Sequence, residues 1–174
     1  IYDVLHFYGL RSAFFASKDK FILYVKSYGA KSLTLQASHF YQGQQLIDAY
    51  AISHNNDPAI LDIFLKELTT NYPHFTFLHL CGPDNVGHSF QWDVSPESIY
   101  LAEVKRKDAM LGKILKAIQN NEKLAKSTVL IITSDHGGYA DNHDYVSDPR
   151  DFTIPFIVWG QDVVKGTDLY SINR

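Results

Sequence analysis

Two short stretches concentrate the side chains able to hold a cation or move a proton. Cys81-Gly82-Pro83-Asp84-Asn85-Val86-Gly87-His88 places an aspartate and a histidine four residues apart. Asp135-His136-Gly137-Gly138-Tyr139-Ala140-Asp141-Asn142-His143-Asp144 interleaves two histidines with three aspartates. Carboxylate oxygen and imidazole nitrogen together suit zinc or a similar divalent ion, and a catalytic zinc keeps three protein ligands and one open position. Asp84, His88 and His143 would supply one such set, and Asp135 with His136 half of another. An Asp-x-x-x-His pair is a frequent accident, and an aspartate at a strand end often only caps the next element. Both stretches in one chain, each after an apolar run, point to metal-assisted chemistry instead.

Ligands so dispersed need strand ends to present them, because open α/β sheets gather their ligands beyond the carboxyl ends of the strands. The sequence offers such strands. Ser12–Ser17 (SAFFAS), His74–Leu80 (HFTFLHL), Thr128–Thr133 (TVLIIT) and Phe152–Trp159 (FTIPFIVW) read as strands, with Leu33–Ala37 a further candidate. Pro155 puts the last at an edge or a bulge. Between them, Asp19–Tyr28 reads as a short helix closed near Gly29. Asp57-Pro58 opens a helix whose apolar face carries Ile60, Phe64 and Leu68, ended by Asn71-Tyr72-Pro73. Ser95-Pro96 opens the longest helix, to about Asn121, with Tyr100, Val104, Leu111, Leu115 and Ile118 inward and Asp108 close to that side. Residues 38–56 and Cys81–Asp93 read as loops. The alternation predicts one α/β unit over residues 1–174, a mostly parallel sheet with helices on both faces.

Composition narrows the function classes. Of 174 residues 45% are hydrophobic and 20% charged, which excludes a disordered chain. Sixteen Lys and Arg against nineteen Asp and Glu leave a net charge of −3, and no basic run exceeds Lys105-Arg106-Lys107, so no nucleic-acid patch is expected. The apolar runs are too short to span a bilayer. One cysteine, Cys81, excludes an internal disulfide and any Cys-only zinc site. The first residues put Ile1, Leu5 and Tyr8 on one helical face with Gly9 as the stop, and a chain opening inside a helix reads as an excerpt.

Pro83-Asp84-x-x-Gly87-His88, a long helix, Thr133-Ser134-Asp135-His136-Gly137-Gly138, His143 and Ile154-Pro155-Phe156-Ile157-Val158-Trp159-Gly160 stand in an order that resembles the alkaline phosphatase superfamily. Within it the pattern is most similar to the type I phosphodiesterase and nucleotide pyrophosphatase group, over roughly residues 74 to 160. The resemblance implies two divalent metal ions, zinc with manganese as the other option, Asp84, His88 and His143 holding one and Asp135 with His136 the other. It implies hydrolysis of a phosphate ester or nucleotide through a covalent phospho-enzyme on a Thr or Ser. No serine or threonine here sits in the strand–turn–helix setting such a nucleophile requires. The expectation is therefore the central to C-terminal part of a larger catalytic domain, incomplete and inactive alone. The alternatives are a metal-dependent phosphomutase of the same superfamily and an inactive metal-binding or interaction module. An extracytoplasmic location is suggested by the resemblance only. Cys81-Gly82-Pro83-Asp84-Asn85 lacks the arginine of the sulfatase pattern and is read as coincidence. His79 reads as a core histidine, and His39 and His54 as loop residues. Phe90 and Trp92 read as packing against the long helix or as a base-stacking surface, and Arg150 as a turn residue with a remote claim on phosphate.

Overall fold

Serine is the only polar residue type in the run Ser-Ala-Phe-Phe-Ala, and the run becomes a strand buried along its whole length, β1 (Ser12–Ala16). The structure, a computed structural model, describes residues 1–32 and 45–172. β1 lies between β3 (Ile47–Ile52) and β4 (Phe75–His79), with β2 (Ala30–Ser32) outside β3, and all four strands run parallel. Ala16 stands opposite both Ile52 and His79, so the three long strands end level and their outgoing loops share one edge.

The strands' two-residue period sorts the core into two layers. Ala13, Phe15, Ala49 and Ala51 face α3 (Asp57–Asn71), α5 (Ile99–Gln119) and α6 (Glu122–Ser127), which contribute Phe64, Leu68, Ile114, Ile118 and Leu124. Phe14, Ala16, Ile47 and Tyr50 face α1 (Tyr2–Phe7) and α2 (Ile22–Tyr28), which contribute Tyr2 and Val25. Helices therefore cover both faces of a parallel sheet, as alternation implied. A separate two-stranded antiparallel ribbon pairs β5 (Val129–Thr133) with β6 (Phe156–Gly160), Ile131 opposite Val158. Leu130 and Trp159 join this ribbon to the first core layer. Three short helices complete the described chain: α4 (Gly82–Phe90), α7 (Pro149–Phe152) and α8 (Leu169–Ile172).

Several local expectations are corrected. Residues 47–52, expected as loop, form β3, because Ala49 and Ala51 are small enough to lie beneath α3. Cys81–Asp93, also expected as loop, holds α4, started by Pro83 in its first turn, where a missing N–H costs nothing. Asn56 rather than Asp57 caps α3, its Oδ1 accepting from the Ala59 amide at 3.0 Å. On α1 it is Tyr2 that is buried, while Ile1 and Tyr8 are exposed. On α5 the buried face carries Glu103, Ile114 and Ile118; Val104 and Asp108 face solvent, and Lys107 of the Lys105-Arg106-Lys107 run points inward. β5 alternates between exposed and half-buried positions instead of lying fully inside. Leu33–Ala37 and His39 lie outside the described residues.

Candidate metal centre

The level edge of the parallel sheet is knotted by short polar residues. Ser17, just past β1, donates its hydroxyl to the His79 carbonyl at 3.2 Å and accepts from the Cys81 amide at 2.8 Å. Asp57, the first residue of α3, reaches across and accepts from the Cys81 and Gly82 amides at 3.0 and 2.9 Å. Beneath it Lys107 of α5 pairs with Asp57 at 2.7 Å and with Glu103 at 2.6 Å, all three largely buried. A β-carbon on Gly82 would collide with the side-chain ends of Glu103, Lys107 and Asp57, so any other residue at the start of α4 would have to displace this buried ion cluster. Burial alone would raise the Asp57 carboxyl pKa; the bonds from Lys107, Ser17 and Gly82 outweigh it and hold the group below its ordinary value. Glu103 is likewise raised by burial but brought lower overall by Lys107 and Arg106. Lys107 answers in kind: burial would lower it, and its two carboxylates raise it.

This scaffold sets α4, and α4 sets Asp84 and His88 one turn apart. Asp84 Oδ1 lies 3.4 Å from His88 Nε2 and 3.5 Å from His136 Nε2, while Oδ2 accepts a short bond from the Lys18 ammonium just past β1. Burial pushes the Asp84 carboxyl up, but Lys18 and the two histidines outweigh it and keep it below the usual carboxylate range. From the other side, the segment after β5 brings His136 and His143, whose rings stack at 3.8 Å and 19°. His88 meets the His143 ring edge-on at 5.0 Å. That segment is itself tied to α7: the Gly137 and Gly138 amides donate to the Asp151 and Arg150 carbonyls at 2.7 and 2.9 Å.

Asp84, His136 and His143 each offer a ligand atom, and these atoms lie within 4.8 Å of one another. The pairs proposed from sequence thus meet in one recess of about 140 Å³, with the closest triad drawn from both expected sets. His88 flanks it, and Asp135 stands at the rim, 67% exposed and 3.8 Å from His136 Nε2. The donor set fits a divalent cation. His136 Nδ1 lies 2.7 Å from the Gly137 carbonyl, an acceptor only, so Nδ1 carries a proton, and Nε2, 3.5 Å from Asp84 Oδ1, is the nitrogen placed to ligate a cation. A lone pair and a carboxylate oxygen converging on one point, with the second ring nitrogen held by a carbonyl, is the arrangement that metal-binding histidines favour.

Three further residues line the recess without having been singled out as site residues: Lys18, Lys20 and His79. Lys18 and Lys20 follow a strand end, the position where α/β sheets collect function, and that was the signal available for them. His79, read as a core histidine, is half-buried and also reaches the recess: its ring packs on Phe21 at 4.4 Å, its Nδ1 is buried, and burial lowers its pKa despite nearby Asp135. Cys81 is buried beside Ser17 and Asn55, and burial raises its thiol pKa, the opposite of what a reactive sulfur needs. Arg150 is bonded to Asp148 at 2.6 Å and lies over the Tyr139 ring at 3.2 Å, which occupies the side chain considered for phosphate. His54 pairs with Asp19 away from the triad.

Comparison with known proteins places the fold in a family. The profile of the type I phosphodiesterase/nucleotide pyrophosphatase family matches residues 16–151. Among solved structures the chain is similar to murine ectonucleotide pyrophosphatase/phosphodiesterase 5, an inactive form in complex with AMP, with a TM-score of 0.51 and 22% identity. That match covers 79% of this chain and 32% of the murine one, so the chain spans about a third of that relative's length. The two proteins share the fold. With the profile extending from the end of β1 through β5, α4 and the segment that carries His136 and His143, the chain belongs to the type I phosphodiesterase/nucleotide pyrophosphatase family of the alkaline phosphatase superfamily.

Proposed function

We propose that this chain is the part of a phosphate-ester hydrolase, of phosphodiesterase or nucleotide pyrophosphatase type, that holds divalent metal. The observation that carries the reading is the convergence of Asp84, His136 and His143 within 4.8 Å, from two separate segments that nothing but the fold brings together. Asp84, His88 and His143 would hold one ion and Asp135 with His136 would supply part of a second site, zinc being favoured by the imidazole-rich set and manganese also accommodated. When bound, such ions neutralise charge on phosphoryl oxygens and stabilise the leaving oxygen.

The chain's own residues prepare the rest. Lys18 neutralises Asp84, and Lys20 adds a second ammonium to the recess that an anionic phosphate ester could meet. With Nδ1–H donated to the Gly137 carbonyl, His136 would offer Nε2 to the ion. The Ser17–Asp57–Lys107 knot fixes the strand ends from which Asp84 is presented. The attacking hydroxyl, a Thr or Ser forming the covalent phospho-enzyme, is proposed to lie outside these 174 residues, so the chain alone should bind metal and not turn over. The murine relative was solved with AMP, which makes a nucleotide the first ligand to try.

The reading is tested by calorimetric titration of zinc, and separately manganese, into the metal-free chain. Wild type should bind, and His143→Ala or Asp84→Asn should weaken binding by about tenfold or more. Equal affinities in wild type and both variants would falsify the assignment.

A further inference from the structure

Trp92 stands where the two halves of the recess meet. It follows α4, yet its backbone amide donates to the Ala140 carbonyl at 3.1 Å, stitching the end of the α4 segment to the loop that carries His143. Its indole occupies space cleared by two glycines. A β-carbon on Gly87, inside α4, would fall 2.2 Å from Trp92 Cε2, and one on Gly138, between His136 and His143, 2.4 Å from Trp92 Cδ2. Gly87 is buried in a helix, where glycine costs about 1 kcal/mol relative to alanine. Its second α-hydrogen in place of a methyl is what lets the ring in. The same ring meets His88 at 4.9 Å and His143 at 5.9 Å, both edge-on, and Tyr100 of α5 lies on it at 6.5 Å.

Resting on the metal-centre reading above, we infer that Trp92 is a positioning residue: wedged between Gly87 and Gly138, it fixes the orientations of His88 and His143 toward the cation. The two histidines come from separate segments, α4 and the loop after β5, and one rigid indole touches both. An indole with two torsions and a large flat surface supplies that at small entropic cost. Base stacking is the other use open to this tryptophan; the backbone at Gly87 and Gly138 lies close against its ring, which favours packing.

The experiment is zinc titration of the full chain, by competition with a chromophoric chelator, for wild type, Trp92→Phe, Trp92→Ala, Gly87→Ala, Gly138→Ala and the double variant Gly87→Ala/Trp92→Ala. Trp92→Ala should lower zinc affinity by about tenfold or more, the range for groups that orient ligands. Trp92→Phe should recover most of that loss. Gly87→Ala and Gly138→Ala should each weaken binding, because the new methyl displaces the ring. The double variant should be no weaker than Trp92→Ala alone, since the methyl then has no ring to displace. With Trp159→Phe leaving Trp92 as the single tryptophan, zinc should change the emission. If Trp92→Ala does not fold, the Trp92→Phe and glycine variants carry the same test. Wild type binding zinc while Trp92→Ala and both glycine variants bind it equally well overturns this inference alone. Wild type failing to bind zinc overturns the metal-centre reading and the inference with it.

Discussion

Lys107 is the side chain on which the buried charges of this protein turn. It sits between Asp57 and Glu103, at 2.7 and 2.6 Å, and its loss would leave two carboxylates facing each other out of water. Lys107→Met should therefore destabilise the chain by about 3–5 kcal/mol in urea unfolding at neutral pH. The pH dependence gives a sharper check. In the wild type, Asp57 and Glu103 have folded pKa values below their unfolded ones, so their contribution is present above about pH 4 and lost as pH falls through the lowered values. Lys107, raised on folding, contributes below its ordinary value near 10.4 and loses that contribution as pH rises through the raised one. In Lys107→Met the sign at acid reverses. Burial and mutual repulsion would raise the carboxyl values, so the variant should gain stability as pH falls toward 4, and a parallel loss in both proteins would contradict the pairing.

At the scale of elements, Asn56 and α4 show what periodicity conveys and what it omits. Asn56 Oδ1 caps α3, and Asn56→Ala should cost about 1 kcal/mol while Asn56→Asp should be nearly neutral, measured by thermal unfolding. Apolar runs and repeats were legible in the sequence: β1, α3, β4, α5 and β5 appear within a few residues of their expected limits, because each carries an apolar run or a helical apolar repeat. α4 was not, since Gly82-Pro83-Asp84-Asn85 carries turn residues and the helix is held by contacts from α3 and α5 that no local pattern reveals. β3 escaped for a related reason: its alanines are inward because a helix lies close above them. The site residues Asp84, His88, Asp135, His136 and His143 were legible from residue type and spacing. Their grouping was not, because the stacking of His136 on His143 depends on how the loop after β5 folds back to α7.

For the whole molecule, the two core layers meet on β1, where Phe15 and Phe14 point to opposite faces at 0% and 1% exposure. Phe15→Ala should cost about 3–5 kcal/mol in denaturant unfolding, more than truncation of half-exposed Phe77 on the edge strand β4. The parallel order of the sheet has a consequence for time as well as for shape. β1 can pair with β4 only after the chain has closed a loop of about sixty residues, Ser12 coming opposite Phe75, and no hairpin shortens the search among the described parallel strands. Non-local nucleation is therefore expected, with the recess at the level strand ends assembled late. A bound cation should then leave the refolding rate unchanged and lower the unfolding rate. Stopped-flow measurement with and without zinc reads this directly, and a faster refolding limb with zinc would mean that the recess closes before the sheet does.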